Sequence, residues 1–105
     1  GEAMRQYSGP FWAVLAVHYE KDAVALAAPI LRHATGLIVT TVPGSGVHFS
    51  AAELFEQLGK PAVIAVEEPK EALAEATRRA RDLEGGWVFV TGSLYLVGAV
   101  RGAVR

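Results

Sequence analysis

The sequence predicts an α/β fold: a three-layer αβα Rossmann-like domain with a mostly parallel sheet. Three observations carry this. Four apolar runs of strand length are continuous rather than alternating, as in strands covered on both faces. Helical patterns separate them, each long enough to return the chain to the same edge of the sheet. Caps and breakers stand at the junctions. The chain has 105 residues and a hydrophobic fraction of 51%, which suits a single domain spanning 1–105.

The first strand is expected over Phe11 to Val17, "FWAVLAV", rich in β-branched and aromatic residues. Asp22 can then cap the helical stretch "AVALAAPILRHA". Pro29 interrupts that stretch, so either a kink or two short helical pieces meeting there is expected. Leu37 to Val42 forms the second strand, and Pro43-Gly44-Ser45-Gly46 a loop. Ser50, three residues before Glu53, makes a capping box for "AAELFEQL", which Gly59 ends. Ala62 to Glu67 is the third buried strand. Pro69 at a first helical position starts "KEALAEATRRARDL", whose Ala72, Leu73, Ala76, Ala80 and Leu83 share one face, with acids early and arginines late. Gly85-Gly86 closes it, Trp87 to Thr91 is the fourth strand, and "LYLVGAVRGAV" a last, helical segment. At the other end, "EAMRQY" reads as the last turns of a helix stopped by Ser8-Gly9-Pro10, as in a piece of a longer protein.

Ten basic and eleven acidic residues give a formal charge of −1, so no nucleic-acid footprint and no attraction to anionic lipid is indicated. Cysteine is absent, which removes disulfides, thiolate metal sites and a cysteine nucleophile. No apolar run approaches the ~20 residues that span a bilayer, and the first ten residues lack the pattern of a signal peptide. A cytoplasmic location is expected.

In open parallel sheets ligands gather beyond the carboxyl ends of the strands. Those ends read His18-Tyr19-Glu20-Lys21-Asp22, Thr40-Thr41-Val42-Pro43-Gly44, Glu67-Glu68 and Thr91-Gly92-Ser93. Gly92 lets the backbone approach a ligand, and Ser93 can cap the helix that follows, leaving amides and a positive dipole end for an anion. The simpler reading of the same residues is a strand-to-helix turn with a serine cap. Lys21 beside Asp22 is either a solvated pair or, because a lysine is unfavourable at the positive end of a helix, a holder of a carboxylate or phosphate. "PGSGVHFS" matches the first two glycines of a dinucleotide fingerprint at Gly44 and Gly46, but Phe49 replaces the third, which favours an ordinary turn. His18, His33 and His48 lack metal-ligand spacing, and no metal site is expected. Ser93 is not in a hydrolase elbow, since Thr91 stands at the first glycine. These residues offer no catalytic group.

Taken together, "FWAVLAVHYEKDAVALAAPIL", "LIVTTVPGSGVHFSAAELFEQL", "EALAEATRRA" and "WVFVTGSLYLVGAVR" resemble the carboxy-terminal domain of folylpolyglutamate synthase/dihydrofolate synthase, in the Mur ligase superfamily. The similarity runs from about Phe11 to Arg101. It implies an ATP-dependent acid–amino-acid ligase that joins glutamate to a folate: phosphoryl transfer assisted by Mg2+ activates a carboxylate, and the amine of glutamate attacks the acyl phosphate. The P-loop, folate pocket and most metal ligands of that family lie in its amino-terminal ATPase domain. This domain would close over the ATP site and hold glutamate, with Lys21 on a carboxylate and Ser93 and the Leu94 amide on the same amino acid. His18, Asp22, Gly92 and Tyr95 are further possible contacts.

Two departures limit what carries over. Glu20-Lys21-Asp22 keeps the family's acid-lysine-acid step, but His18-Tyr19 replace more typical residues. The Asp-Gly-Ala-His-Asn segment that reaches the nucleotide is absent and would lie upstream of Gly1. ATP and Mg2+ are therefore expected to bind the parent enzyme rather than these 105 residues, which alone should be inactive. The partners implied are glutamate, ATP, a folate or dihydropteroate, and the amino-terminal domain; nucleic acid and membrane are not among them. The alternative is a stand-alone α/β module that binds a small ligand or a partner protein without catalysis.

Overall fold

A computed structural model describes residues 9–91 of the chain. Strands β1 (Phe11–Leu15), β2 (Gly36–Val39), β3 (Val63–Ala65) and β4 (Trp87–Thr91) alternate with helices α1 (Ala23–His33), α2 (Ala51–Leu58) and α3 (Pro69–Arg81). The sheet has the order β3-β2-β1-β4, and every pairing is parallel. Both regions that the sequence assigned to helices at the ends, "EAMRQY" and "LYLVGAVRGAV", lie outside the described residues.

The order places two helices on one face and one on the other. Ala23, Ala27 and Ile30 of α1 and Leu54 and Leu58 of α2 pack with Phe11, Leu15, Val17, Leu37 and Val39. On the opposite face Ala72 and Ala76 of α3 lie against Trp12, Val14 and Ile38, with Leu73 and Leu83 half-buried beside them. This is the three-layer αβα arrangement read from the sequence. The alanine stripe lets α3 approach closely, because the sheet side already carries the volume of Trp12. Gly36 is the register partner of Trp12, and a Cβ there would lie 2.3 Å from the indole. The Arg79 guanidinium lies over that ring, 4.9 Å from its centroid.

The helix ends follow local chemistry. Ser50 Oγ accepts from the Glu53 N–H at 3.1 Å and Glu53 Oε1 from the Ser50 N–H at 2.8 Å, the expected capping box, and Gly59 ends α2 with φ +54°. Asp22 caps α1 by accepting from the Ala25 N–H at 3.1 Å. Of the two outcomes expected at Pro29, a kink or two short pieces, the second does not occur: one helix runs through it. The carbonyl that loses its donor belongs to Ala25, on the exposed side of the helix, where water can serve it.

The first three strands are shorter than the apolar runs. β1 stops at Leu15 although Ala16 and Val17 are buried, and β2 stops at Val39 although Thr40 and Thr41 are buried. β3 was expected to be covered on both faces, but Ile64 is half-buried and Ala65 exposed. The sheet order explains this, since β3 is an edge strand there. β4 matches its expected bounds.

Candidate functional site

In the order β3-β2-β1-β4 the chain leaves β1 toward β2 through α1, whereas β4, on the other side of β1, is reached from β3 through α3. The gap between the carboxyl ends of β1 and β4 is therefore the topological switch point of the sheet, where open α/β folds form their binding crevice. A cleft of about 270 Å³ lies there, lined by Leu15, Ala16, Val17, His18, Lys21, Leu26, Ile30 and Thr91. Its floor is apolar, and among the described residues its charged side chain is Lys21, an exposed residue. A flexible ammonium over an apolar floor suits a ligand with an anionic end and an aliphatic body.

The β1–α1 loop that carries Lys21 is tightly turned. The Lys21 N–H donates to the His18 carbonyl at 3.0 Å, and the Glu20 N–H donates to His18 Nδ1 at 3.0 Å. Asp22, read as a possible contact, is used as the cap of α1, so its carboxylate faces the helix amides. His18 and Lys21 are brought together in the cleft. Thr91, the residue before Gly92, lines the same cleft. Gly92, Ser93, Leu94 and Tyr95 lie outside the described residues.

A second, shallower recess of about 220 Å³ lies at the carboxyl ends of β2 and β3, where Tyr19, Thr41, Ser45, His48, Glu53 and Glu67 meet. Its acids have structural partners. Glu67 Oε1 accepts from the Ala51 N–H at 2.9 Å, and the Glu67 carbonyl accepts from the buried Thr40 hydroxyl at 3.0 Å. The next residue, Glu68, which does not line the recess, caps α3 through the Lys70 N–H at 3.1 Å. Gly44 and Gly46 take φ of +76° and +71°, as a tight turn requires, and Ser45 Oγ accepts from the Val47 N–H at 3.3 Å. The glycines of this loop thus serve its backbone conformation.

From the sequence His48 is considered only as a metal ligand, and its contact with His18 is not foreseen. Its ring is buried, stands 5.5 Å from that of His18 in a T-shaped contact, and places Nδ1 2.8 Å from Ser45 Oγ. Burial first, and the neighbouring His18 second, hold its pKa below the ordinary histidine value. Thirty residues separate the two histidines, so no spacing rule could have paired them. His33 sits in the last turn of α1, at the negative end of the helix dipole. Among the described residues no group of His, Asp and Glu side chains could hold a metal ion, and no helix is long and apolar enough to cross a membrane.

No protein-family model matches the chain, and no curated protein matches it at a significant level. Solved structures do. Folylpolyglutamate synthase of Mycobacterium tuberculosis, complexed with ADP and AMPPCP, is similar with a TM-score of 0.80 and 24% identity over 94% of this chain. A structure of the same enzyme complexed with ADP gives a TM-score of 0.76 and 18% identity over 96% of this chain. The chain spans 24% and 25% of those two chains, about a quarter of their length. At these identities the likeness is one of fold, and it agrees with the α/β architecture and with the resemblance seen in the sequence.

Proposed function

We propose that this domain is the carboxy-terminal, glutamate-binding part of a cytoplasmic ATP-dependent ligase that adds glutamate to folates. The observation that carries the reading is Lys21 at the mouth of an apolar cleft at the switch point, in a fold shared with a quarter of folylpolyglutamate synthase. Glutamate is an aliphatic chain with carboxylates at its ends, which suits an ammonium above an apolar floor. Ser93 and the Leu94 amide, just past the strand that ends at the cleft, would complete the grip and orient the amine.

The division of labour follows from what these residues can do. Phosphoryl transfer needs positioned phosphates and a bound divalent ion, which call for a Gly-rich loop with its lysine and acidic ligands. Glu53 and Glu67 of the second recess are engaged in capping α2, and among the described residues no donor set fits Mg2+. ATP, Mg2+ and the folate therefore belong to the amino-terminal domain of the parent chain. This domain contributes by closing on that site and fixing the amine donor, an entropic contribution to the attack on the acyl phosphate.

The test is kinetic. In the full-length ligase, Lys21→Ala and Ser93→Ala should raise the KM for glutamate by about ten- to a hundredfold, the loss of a hydrogen bond to a charged group, with the KM for ATP unchanged. A change confined to ATP would move the site to the nucleotide. Turnover by the 105-residue chain alone, with ATP, Mg2+, glutamate and a folate, would overturn the division of labour.

A further inference from the structure

The loop that carries Lys21 is held by a second loop. Beyond Leu15 the chain pairs antiparallel with the segment 47–49 through a bridge between His18 and His48. The Tyr19 N–H donates to the Val47 carbonyl at 2.9 Å, and the Phe49 N–H to the Val17 carbonyl at 3.0 Å. The side chains repeat the pairing: the two imidazoles meet at 5.5 Å, and the Tyr19 and Phe49 rings meet edge to face at 4.9 Å. His48 is the centre of this clasp. It is 5% exposed, touches its own turn through Ser45 Oγ, and faces the ring of His18, whose carbonyl accepts from the Lys21 N–H.

We propose that His48 is a positioning residue for Lys21: the neutral imidazole keeps the 45–49 loop closed on the β1–α1 loop, and proton uptake opens the clasp and displaces Lys21 from the cleft. The effect on glutamate rests on the acceptor-site reading above. A charged His48 would have to lie buried beside His18, and both conditions disfavour the charged form. Among the described residues the other titratable groups that line the same recess are Tyr19 from the β1–α1 loop, Glu53 from α2 and Glu67 from the end of β3, with Glu20 and Lys21 further along the loop of His18. Glu53 and Glu67 each accept a backbone N–H, from Ser50 at 2.8 Å and Ala51 at 2.9 Å, so both are engaged in capping α2.

The experiment measures amide exchange of the 105-residue chain, taking Tyr19 and Phe49 relative to Leu37, whose N–H donates to Ala62 inside the sheet. Relative protection at Tyr19 and Phe49 should fall by about tenfold between roughly pH 7.5 and pH 5.5, the response to uptake of one proton. His48→Phe keeps an apolar ring and should remove the fall. His18→Phe removes the neighbouring charge and should keep the fall but move its midpoint to higher pH, which guards against a His48 variant that does not fold. A flat ratio in the native chain, or an unchanged fall in His48→Phe, overturns the proposal. Titration with L-glutamate, read at the Lys21 amide, separates the two readings: binding about tenfold weaker at the lower pH supports both. An acid-opened clasp with no response to L-glutamate at either pH supports the clasp and overturns the acceptor site.

Discussion

The carboxyl ends of β1 and β3 lie on one edge of the sheet and carry comparable runs of charged side chains, but they put them to different uses. At the end of β3, Glu67 and Glu68 both accept backbone N–H groups at helix starts. At the end of β1, Asp22 does the same, and Lys21 is left exposed at the mouth of the switch-point cleft. The difference is one of sign. A helix amino terminus presents orphan donors and a positive dipole end, so an acid beside it becomes a cap, while a cation has no such use. In this fold a lysine at a helix start is therefore more informative about function than a pair of acids.

Reversing the charge at the end of β1 should give the largest effect. On the proposed function, Lys21→Glu in the full-length protein is expected to lower kcat/KM for glutamate by about a hundredfold or more, because an attraction is replaced by repulsion of the same carboxylate. If Lys21→Glu behaves like the wild type, the two strand ends are equivalent and both are structural.

The structural end should respond in stability instead. Glu67→Ala removes a cap from α2 and should cost about 1 kcal/mol in denaturant unfolding, with the KM for glutamate unchanged. Thr40→Val should cost a similar amount, about 1 kcal/mol, by leaving the Glu67 carbonyl without the buried hydroxyl. An altered KM for glutamate in either variant would mean that the second recess shares in substrate binding. The smallest change is expected of Glu68→Ala, about 0.5 kcal/mol, since Pro69 at the start of α3 needs no donor partner and already sets the helical φ.

The acid response sharpens the comparison further. The pKa of His48 is depressed in the folded chain, so the unfolded state binds more protons as pH falls through the ordinary histidine value. Its contribution to stability is present above that value and is lost progressively below it. The loss should be located at the end of β1, where the clasp lies.

The elements whose character depends on near neighbours in the chain were legible. The capping box of Ser50 and Glu53, the alanine face of α3 and the bounds of β4 needed only periodicity and local chemistry. Strand ends were less legible. Val17 and Thr40 are as buried as any ladder residue, so hydrophobicity ran on past the points where pairing changed. At Val17 the carbonyl turns from the sheet to the Phe49 N–H, and nothing near Val17 in the chain announces that partner.

By itself the sequence determined the order and type of the elements among the described residues, the parallel α/β class, and the presence of a lysine at the carboxyl end of β1, because continuous apolar runs and caps are local consequences of backbone chemistry. Strand order was a tertiary decision: it put β1 beside β4, made β3 an edge, and so chose which strand ends form a cleft. Tertiary structure also assigned Glu67 to α2 and joined His18 to His48 across thirty residues. Those contacts pair groups far apart in the chain, and they exist only once the layers have packed and the backbone donors at each helix start have found the acceptor that lies nearest in space.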